Sequence, residues 1–326
     1  MATEMGNAPS ALNAKISNQS GFQVRYCPEG VHFFDRRSGW NLLLEEVETA
    51  TASWARAPRY MSIALTNACE LSCPYCYAAK EPARQRADQV VQWAKELDAN
   101  GGLGVGFGGG EPTLFPAFAE LCQSVHSETN LAVTFTTHGH RFTEELVESL
   151  SGSVDFIRLS MDGVGSTYER LRGRSFDQFR SQLNLIRRTT GFGINMVLNS
   201  ETISDLPDAA DFAFSEGAQE LLLLPETGVD GELTCDPKTL SRAANWVSEN
   251  QARVRLATSD HAVAALGVPR LPIASSDGSF DFMHLDARGV LKFGAFERQG
   301  RQLEQGDSLL VAIEALRNTR SAPTHA

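Results

Sequence analysis

No apolar run in the 326-residue chain comes near the roughly eighteen residues that a membrane helix requires, which excludes a helical span. Positive charge is also short. There are 29 Lys and Arg against 40 Asp and Glu, a net −11, which argues against a broad phosphate-binding surface and so against nucleic acid as a partner. Residues 1–20 lack the basic start and apolar middle of a secretory signal, so a disordered leader and a cytoplasmic location are expected. Cysteine is scarce too. Six are too few for a disulfide scaffold of this length, and three of them fall within one stretch of eight residues, which in a reducing compartment points to metal. Internal repeats and low-complexity tracts are missing. What is present is a globular composition, 42% hydrophobic and 21% charged, sufficient for a full core and incompatible with disorder as the main state.

From residue 59 onward, strand-like and helix-like segments alternate. The pairs are 60–65 with 87–97, 103–107 with 117–125, 131–136 with 143–150, 154–160 with 176–188, 193–198 with 206–214, and 220–224 with 238–249. Such βα units with short connections predict a parallel sheet with right-handed crossovers, an α/β fold curved into a partial (β/α)6 TIM-like barrel. In the first helix Val90, Val91, Ala94 and Leu97 share a face, as core packing demands. Ahead of the barrel, residues 22–26 and 31–34 flank Pro28-Glu29-Gly30 and predict a short N-terminal hairpin, a candidate lid. Behind it, 282–285 and 290–293 flank the turn Asp286-Ala287-Arg288-Gly289, and a helix over 309–316 follows. The expected division is a leader over 1–20, hairpin or lid over 21–58, barrel over 59–252, and a small C-terminal β-hairpin and helix extension over 253–326.

In a parallel barrel, chemistry collects on the loops that leave the C-terminal ends of the strands. Here those loops carry Cys69, Cys73 and Cys76, then Gly108-Gly109-Gly110-Glu111-Pro112, then Thr136-Thr137-His138, then Ser160-Met161-Asp162-Gly163, then Asn199, then Glu226. The spacing C-x3-C-x2-C lets three thiolates converge on one centre. A structural zinc site wants four ligands, and the loop holds no fourth Cys or His, whereas a cubane 4Fe-4S cluster held by three cysteines keeps one iron open for a small ligand. Zinc or plain core thiols are the competing readings. The glycine run lacks the Lys-Ser/Thr ending of a phosphate loop. Gly104, Gly106 and Gly109 match G-x-G-x-x-G only with two glycines inside the strand, so neither nucleotide motif is supported. Cys122, on an apolar helical face, reads as core.

The cysteine loop with Tyr75 before its last cysteine, Gly109-Gly110-Glu111-Pro112, and Ser160-x-Asp162-Gly163 followed by Arg172-Gly173 together resemble the radical S-adenosylmethionine enzymes, nearest the SPASM and twitch subgroup. The resemblance covers residues 59–226. It implies one 4Fe-4S cluster on Cys69, Cys73 and Cys76 that binds S-adenosylmethionine. On the same ground Gly109, Gly110 and Glu111 are expected at the methionyl amino group, Tyr75 backbone at the adenine, Ser160 and Asp162 near carboxylate or ribose, and Arg172 on the carboxylate. Thr136 and Asn199, at strand ends on the same rim, are further candidate contacts. In the family, reductive cleavage of the nucleotide yields a 5′-deoxyadenosyl radical that takes hydrogen from an unreactive C–H bond.

The C-terminal stretch departs from the subgroup. Gly294 stands where an auxiliary-cluster cysteine is expected, and Cys235 is the last cysteine of the chain, so the extension is read as degenerate. His138, His140, Tyr168, Glu226 and Cys235 are candidates for proton or hydrogen-atom transfer at the barrel mouth. The expected substrate is a peptide or peptide-like molecule read by pairing to an exposed edge of the N-terminal hairpin or the C-terminal strands, with a small metabolite as runner-up. An electron donor such as flavodoxin or ferredoxin is expected as partner. The reading from another class is an iron-sulfur electron carrier, which would need only the cysteines, and a zinc scaffold is the third.

Overall fold

The computed structural model describes residues 22–229, 231–252, 255–259, 262–268 and 281–321. The expected leader over 1–20 lies outside these residues. The first strands, β1 (Gln23–Cys27), β2 (Gly30–Asp35) and β3 (Trp40–Leu44), form an antiparallel sheet in that order. The hairpin expected from sequence is its first two strands. The third escaped because Trp40-Asn41-Leu42-Leu43-Leu44 does not alternate polar with apolar, and the strand is largely exposed.

The barrel then follows. It comprises β4 (Tyr60–Thr66), α1 (Ala87–Ala99), β5 (Gly104–Gly109), α2 (Phe118–Glu128), β6 (Ala132–Thr137), α3 (Glu144–Leu150), β7 (Phe156–Ser160), α4 (Gly165–Arg172), α5 (Phe176–Thr189), β8 (Phe192–Leu198), α6 (Leu206–Ser215), β9 (Leu221–Pro225) and α7 (Pro237–Asn250). After it come β10 (Leu256–Thr258), α8 (Val263–Leu266), β11 (Phe282–Leu285), β12 (Val290–Lys292), β13 (Arg301–Gln302) and α9 (Leu309–Ser321). The strands lie in the order β10-β9-β8-β7-β6-β5-β4-β11-β12-β13. Pairing is parallel from β10 through β11, and antiparallel for β12 and β13.

Two departures follow from that order. The sheet runs past residue 252, because β10 extends it beyond β9. The C-terminal hairpin is not appended outside it either, since β11 pairs in parallel with β4 and makes the extension part of the barrel wall.

The strands alternate in a way that locates the site. In β7, Ile157 and Leu159 are buried under the helices, while Phe156, Arg158 and Ser160 on the other face are half-buried. A sheet packed on both sides would bury both sets. Around β6 and β7 the inner face is therefore a polar trough, carrying Thr134, Thr136, Arg158 and Ser160, with Ser62 of β4 on the same face, whereas β8 is buried on both faces. Tyr60 crosses the trough floor to meet Thr134, Oη to Oγ1 at 2.5 Å. A Cβ on Gly106 would overlap the Tyr60 hydroxyl, so a larger residue there would have to displace the Tyr60 ring.

The helices stand near their expected positions, with three changes, one of them the short α8, which was not expected. In α1 the buried face is Val90, Trp93, Ala94 and Leu97, with Val91 at its margin. Helix α4 was not foreseen at all. Its eight residues, strongly polar, fall below the length at which periodicity is readable.

The N-terminal sheet sits at the opposite end of the barrel from the cysteine loop. Arg25 Nη2 donates to Ala57 O at 3.0 Å, and Arg36 Nη1 donates to the carbonyls of Thr129 (3.0 Å) and Leu131 (3.2 Å). These carbonyls precede β4 and β6. Arg59, also before β4, binds Glu29 of the β1–β2 turn at 2.9 Å and Asp281 at the start of β11. The sheet thus closes the N-terminal ends of the strands. The lid expected over the rim is corrected to a plug beneath it.

Candidate functional site

The cysteine loop leaves β4 and returns to it. Asn67 N donates to Ala83 O at 3.0 Å and its side chain to Glu81 O at 2.8 Å, which ties the loop ends together. The glycines after β5 dock this loop. Gly110 N donates to Thr66 O (2.7 Å) and Glu111 N to Ala68 O (2.8 Å). A Cβ on Gly109 or Gly110 would overlap those same carbonyl oxygens, and Gly109 stands at φ 119°, where side chains are rarely tolerated. The glycines contact the loop's backbone directly.

Within the loop, Cys76 N donates to Cys73 O at 3.2 Å, a turn that brings those cysteines together. All three thiols are free and half-buried. Burial pushes Cys69 and Cys73 above the usual thiol range, against the Leu71 N–H on Cys69 and the Arg172 guanidinium on Cys73. Leu71 N lies 3.4 Å from Cys69 Sγ and Arg172 Nη1 lies 3.5 Å from Cys73 Sγ.

Glu111 is 1% exposed and is held by protein donors on both oxygens. Oε1 accepts from Thr113 N (3.2 Å), Thr113 Oγ1 (2.7 Å) and Thr137 Oγ1 (2.8 Å), and Oε2 accepts from His138 N at 2.9 Å. Thr137 was missed beside Thr136. The two lie on opposite faces of β6, and only the strand-end register decides which one meets Glu111.

His138 joins two loops. Its Nδ1 accepts from His140 N at 3.1 Å, so the proton of the neutral ring belongs on Nε2, which faces Glu70 Oε2 at 3.1 Å and Glu111 Oε2 at 3.3 Å. Burial works against ionisation of Glu70, yet hydrogen bonds from Arg141, its own backbone and His138 outweigh it and bring the carboxyl to about 2. The Cys69 thiol, the Glu70 carboxylate and the His138 ring lie within 4.8 Å of one another, a spacing that suits a metal ion. The ring's tautomer makes His138 a donor rather than a ligand there.

Asp162 is fully buried and gathers three elements. It accepts from Tyr75 Oη at 2.5 Å, from Val197 N on β8 at 2.7 Å, and pairs with Arg172 on α4. Tyr75 therefore meets Asp162 through its side chain. Ser160 is half-buried on the trough face. Arg172 Nε is buried with no partner among the described residues.

The remaining candidates separate. Tyr168 is 0% exposed, its hydroxyl 2.8 Å from His140 Nε2 and its ring packed on Phe179, so it is core and not presented at the mouth. Burial, with the charges of His138, Arg174 and Arg172, pushes His140 down to about 4. Asn199 donates to Glu226 Oε2 at 2.8 Å, which joins the ends of β8 and β9 on the rim. Cys235 N donates to Glu226 O at 3.0 Å, and burial, then Asp236 and Glu226, push its thiol up to about 11. Cys122 is fully buried, as expected of core.

A cavity of about 240 Å³ opens between the cysteine loop and the C-terminal hairpin. Asn67, Tyr77 and Gly109 line one side, and His284, Asp286 and Lys292 the other. Tyr77 packs on Phe296 with ring centroids 4.7 Å apart. The hairpin's role in this wall was not legible from sequence, because β11 meets β4 across 222 residues. No described helix is long and apolar enough to cross a membrane.

Residues 63–213 match the Radical SAM superfamily. The sporulation killing factor maturation protein SkfB of Bacillus subtilis is 31% identical over 170 residues, 49% of this chain and 41% of that protein. The mycofactocin maturase MftC of Mycobacterium tuberculosis is 31% identical over 171 residues, 50% of this chain and 43% of its own. The chain thus spans less than half the length of these curated relatives. The structure of Streptococcus suis SuiB bound to its precursor peptide SuiA superposes with a TM-score of 0.72 at 15% identity, covering 92% of this chain and 89% of that one, a likeness of fold. Over residues 63–213 this chain therefore matches the Radical SAM superfamily, and about half of it is similar to proteins named for maturation.

Proposed function

We propose that the protein binds a 4Fe-4S cluster on Cys69, Cys73 and Cys76 with S-adenosylmethionine beside it, and modifies a peptide by hydrogen abstraction. The observation that carries this is the donor set itself. Three free thiols on one docked loop, with no fourth Cys or His among the loop's residues, suit a cubane centre with one open iron better than zinc. The buried, unpartnered Nε of Arg172 beside Cys73 fits an anionic group arriving there, such as the cofactor's carboxylate. When bound, the cluster and nucleotide supply one electron and a hydrogen-abstracting radical.

The chain's own residues do the rest. Gly109 and Gly110 hold the loop's backbone, Glu111 fixes the third strand's end through Thr137 and His138, and Asp162 locks Tyr75, Arg172 and β8 into one unit. Thr136, Ser160 and Asn199 stand on the same rim as candidate contacts. The trough leads to this rim, and the Tyr77–Phe296 contact narrows the side entrance, which limits access of water and oxygen. Cys235, kept as a protonated thiol, and Glu226 are the rim groups suited to hydrogen-atom or proton transfer. A flavodoxin or ferredoxin supplies the electron.

A peptide is favoured over a small metabolite because SkfB and MftC are named for maturation and SuiB is seen with a precursor peptide. Anaerobic protein reconstituted with iron and sulfide is expected to hold about four irons. With dithionite it is expected to release 5′-deoxyadenosine from S-adenosylmethionine, and a host peptide extract is expected to show a mass change. Iron without deoxyadenosine under strong reduction would favour the electron carrier, and a changed metabolite with unchanged peptides would favour the runner-up.

A further inference from the structure

The three thiols do not share one electrostatic setting. Carboxylate lies beside Cys69, whose thiol is within 4.8 Å of Glu70 and His138. A cation lies beside Cys73. Arg172 ends α4, its side chain is 10% exposed, and its fork is shared between the Asp162 carboxylate and Cys73, with Nη1 at 3.5 Å from Sγ. Asp162 is in turn fixed by Tyr75 and by Val197 N, so the guanidinium is held against the sulfur by groups on three elements.

We propose that Arg172 raises the reduction potential of the iron-sulfur centre through an N–H···S hydrogen bond to the Cys73 thiolate. This rests on reading the three thiols as cluster ligands. A guanidinium is always charged, and its donor draws electron density from a ligating sulfur, which favours the electron-richer state of the metal centre. Because Arg172 and Asp162 together are neutral, the directional hydrogen bond outlasts their mutual cancellation of charge. The geometry gives Arg172 a task on the protein's own sulfur in addition to any contact with a nucleotide.

The test is a redox titration of the reconstituted cluster followed by electron paramagnetic resonance, with no S-adenosylmethionine present, so that nucleotide binding does not enter. Arg172→Met alone would strand the buried Asp162 charge, so the informative variant is Arg172→Met with Asp162→Asn, which leaves the local charge balance unchanged. It is expected to hold as much iron as the parent. At a fixed potential its ratio of reduced to oxidised cluster is expected to fall about tenfold, ~59 mV for a one-electron couple. If this variant does not fold, Arg172→Lys keeps a cation for Asp162 without the planar fork, and a lowered midpoint supports the proposal equally. Iron at the parental level with an unchanged midpoint overturns it in either variant. A parent protein that takes up no iron overturns the cluster reading first, and this proposal with it.

Discussion

At the residue scale, the most consequential group is one whose role its neighbours in sequence do not reveal. His138 looked like a candidate for proton transfer, but its ring is hydrogen-bonded to Glu70 of the cysteine loop at 3.1 Å and stands 3.3 Å from the buried Glu111 of the glycine turn. His138→Ala removes the ring between these two carboxylates, and a loss of about 1–3 kcal/mol in stability is expected, measured by urea unfolding of the apo protein. Retained stability would mean Glu111 is satisfied by Thr113, Thr137 and the backbone N–H of residue 138. Gly110→Ala has a sharper expectation. Its Cβ would overlap Ala68 O, so the loop must shift and reconstituted iron is expected to fall by about half or more, while far-ultraviolet circular dichroism stays the same. The cysteine loop was legible from spacing, since its geometry is local, whereas the docking of the glycine turn on that loop's backbone was not. His138 was named for proton transfer, but its contact and that of Thr137 with Glu111 were not legible, because they depend on where β6 ends to within a single residue.

At the element scale, the N-terminal sheet changes the meaning of the first strands. Arg36 reaches the carbonyls of His126 (3.3 Å), Thr129 and Leu131 beneath β6, and Arg59 ties the β1–β2 turn to the starts of β4 and β11. Arg59→Met removes the cation that binds Glu29 and Asp281 in a nearly closed site. A stability loss of about 3–5 kcal/mol with little change in iron uptake is expected, read by urea unfolding and iron analysis. A loss of iron equal to the loss of stability would contradict the separation of plug from rim. The alternating βα segments were readable because each carries its own period, and α4 was not because eight polar residues carry none. The placement of β1–β3 under the barrel was also invisible. Arginine side chains reaching backbone carbonyls leave no pattern in the partner sequence.

For the whole molecule, three histidines in separate regions share one constraint. His32 on β2, His140 beside the site and His284 on β11 are each pushed down to about 4, with burial the largest cause. Their unfolded value is about 6.5, so between those limits the unfolded chain binds more protons than the folded one. Stability is then fully present above about pH 6.5 and falls as pH drops toward 4. Urea midpoints measured across that range are expected to show the fall, and to show less of it in His284→Asn. A midpoint that is flat from pH 7 to pH 4 would mean these rings are hydrated in solution.

The pairing of β11 with β4 also sets a clock on the protein's birth. Ser62 and His284, joined in the finished wall at 3.1 Å, are 222 residues apart. At ordinary synthesis rates of about 5–20 residues per second, the flank of β4 waits roughly 10–45 s for its neighbour. For that interval the strand that launches the cysteine loop has one open edge, with the backbone from Tyr60 to Ile63 not yet paired on that side. Until β11 is made, that edge offers unpaired backbone groups to any neighbouring strand.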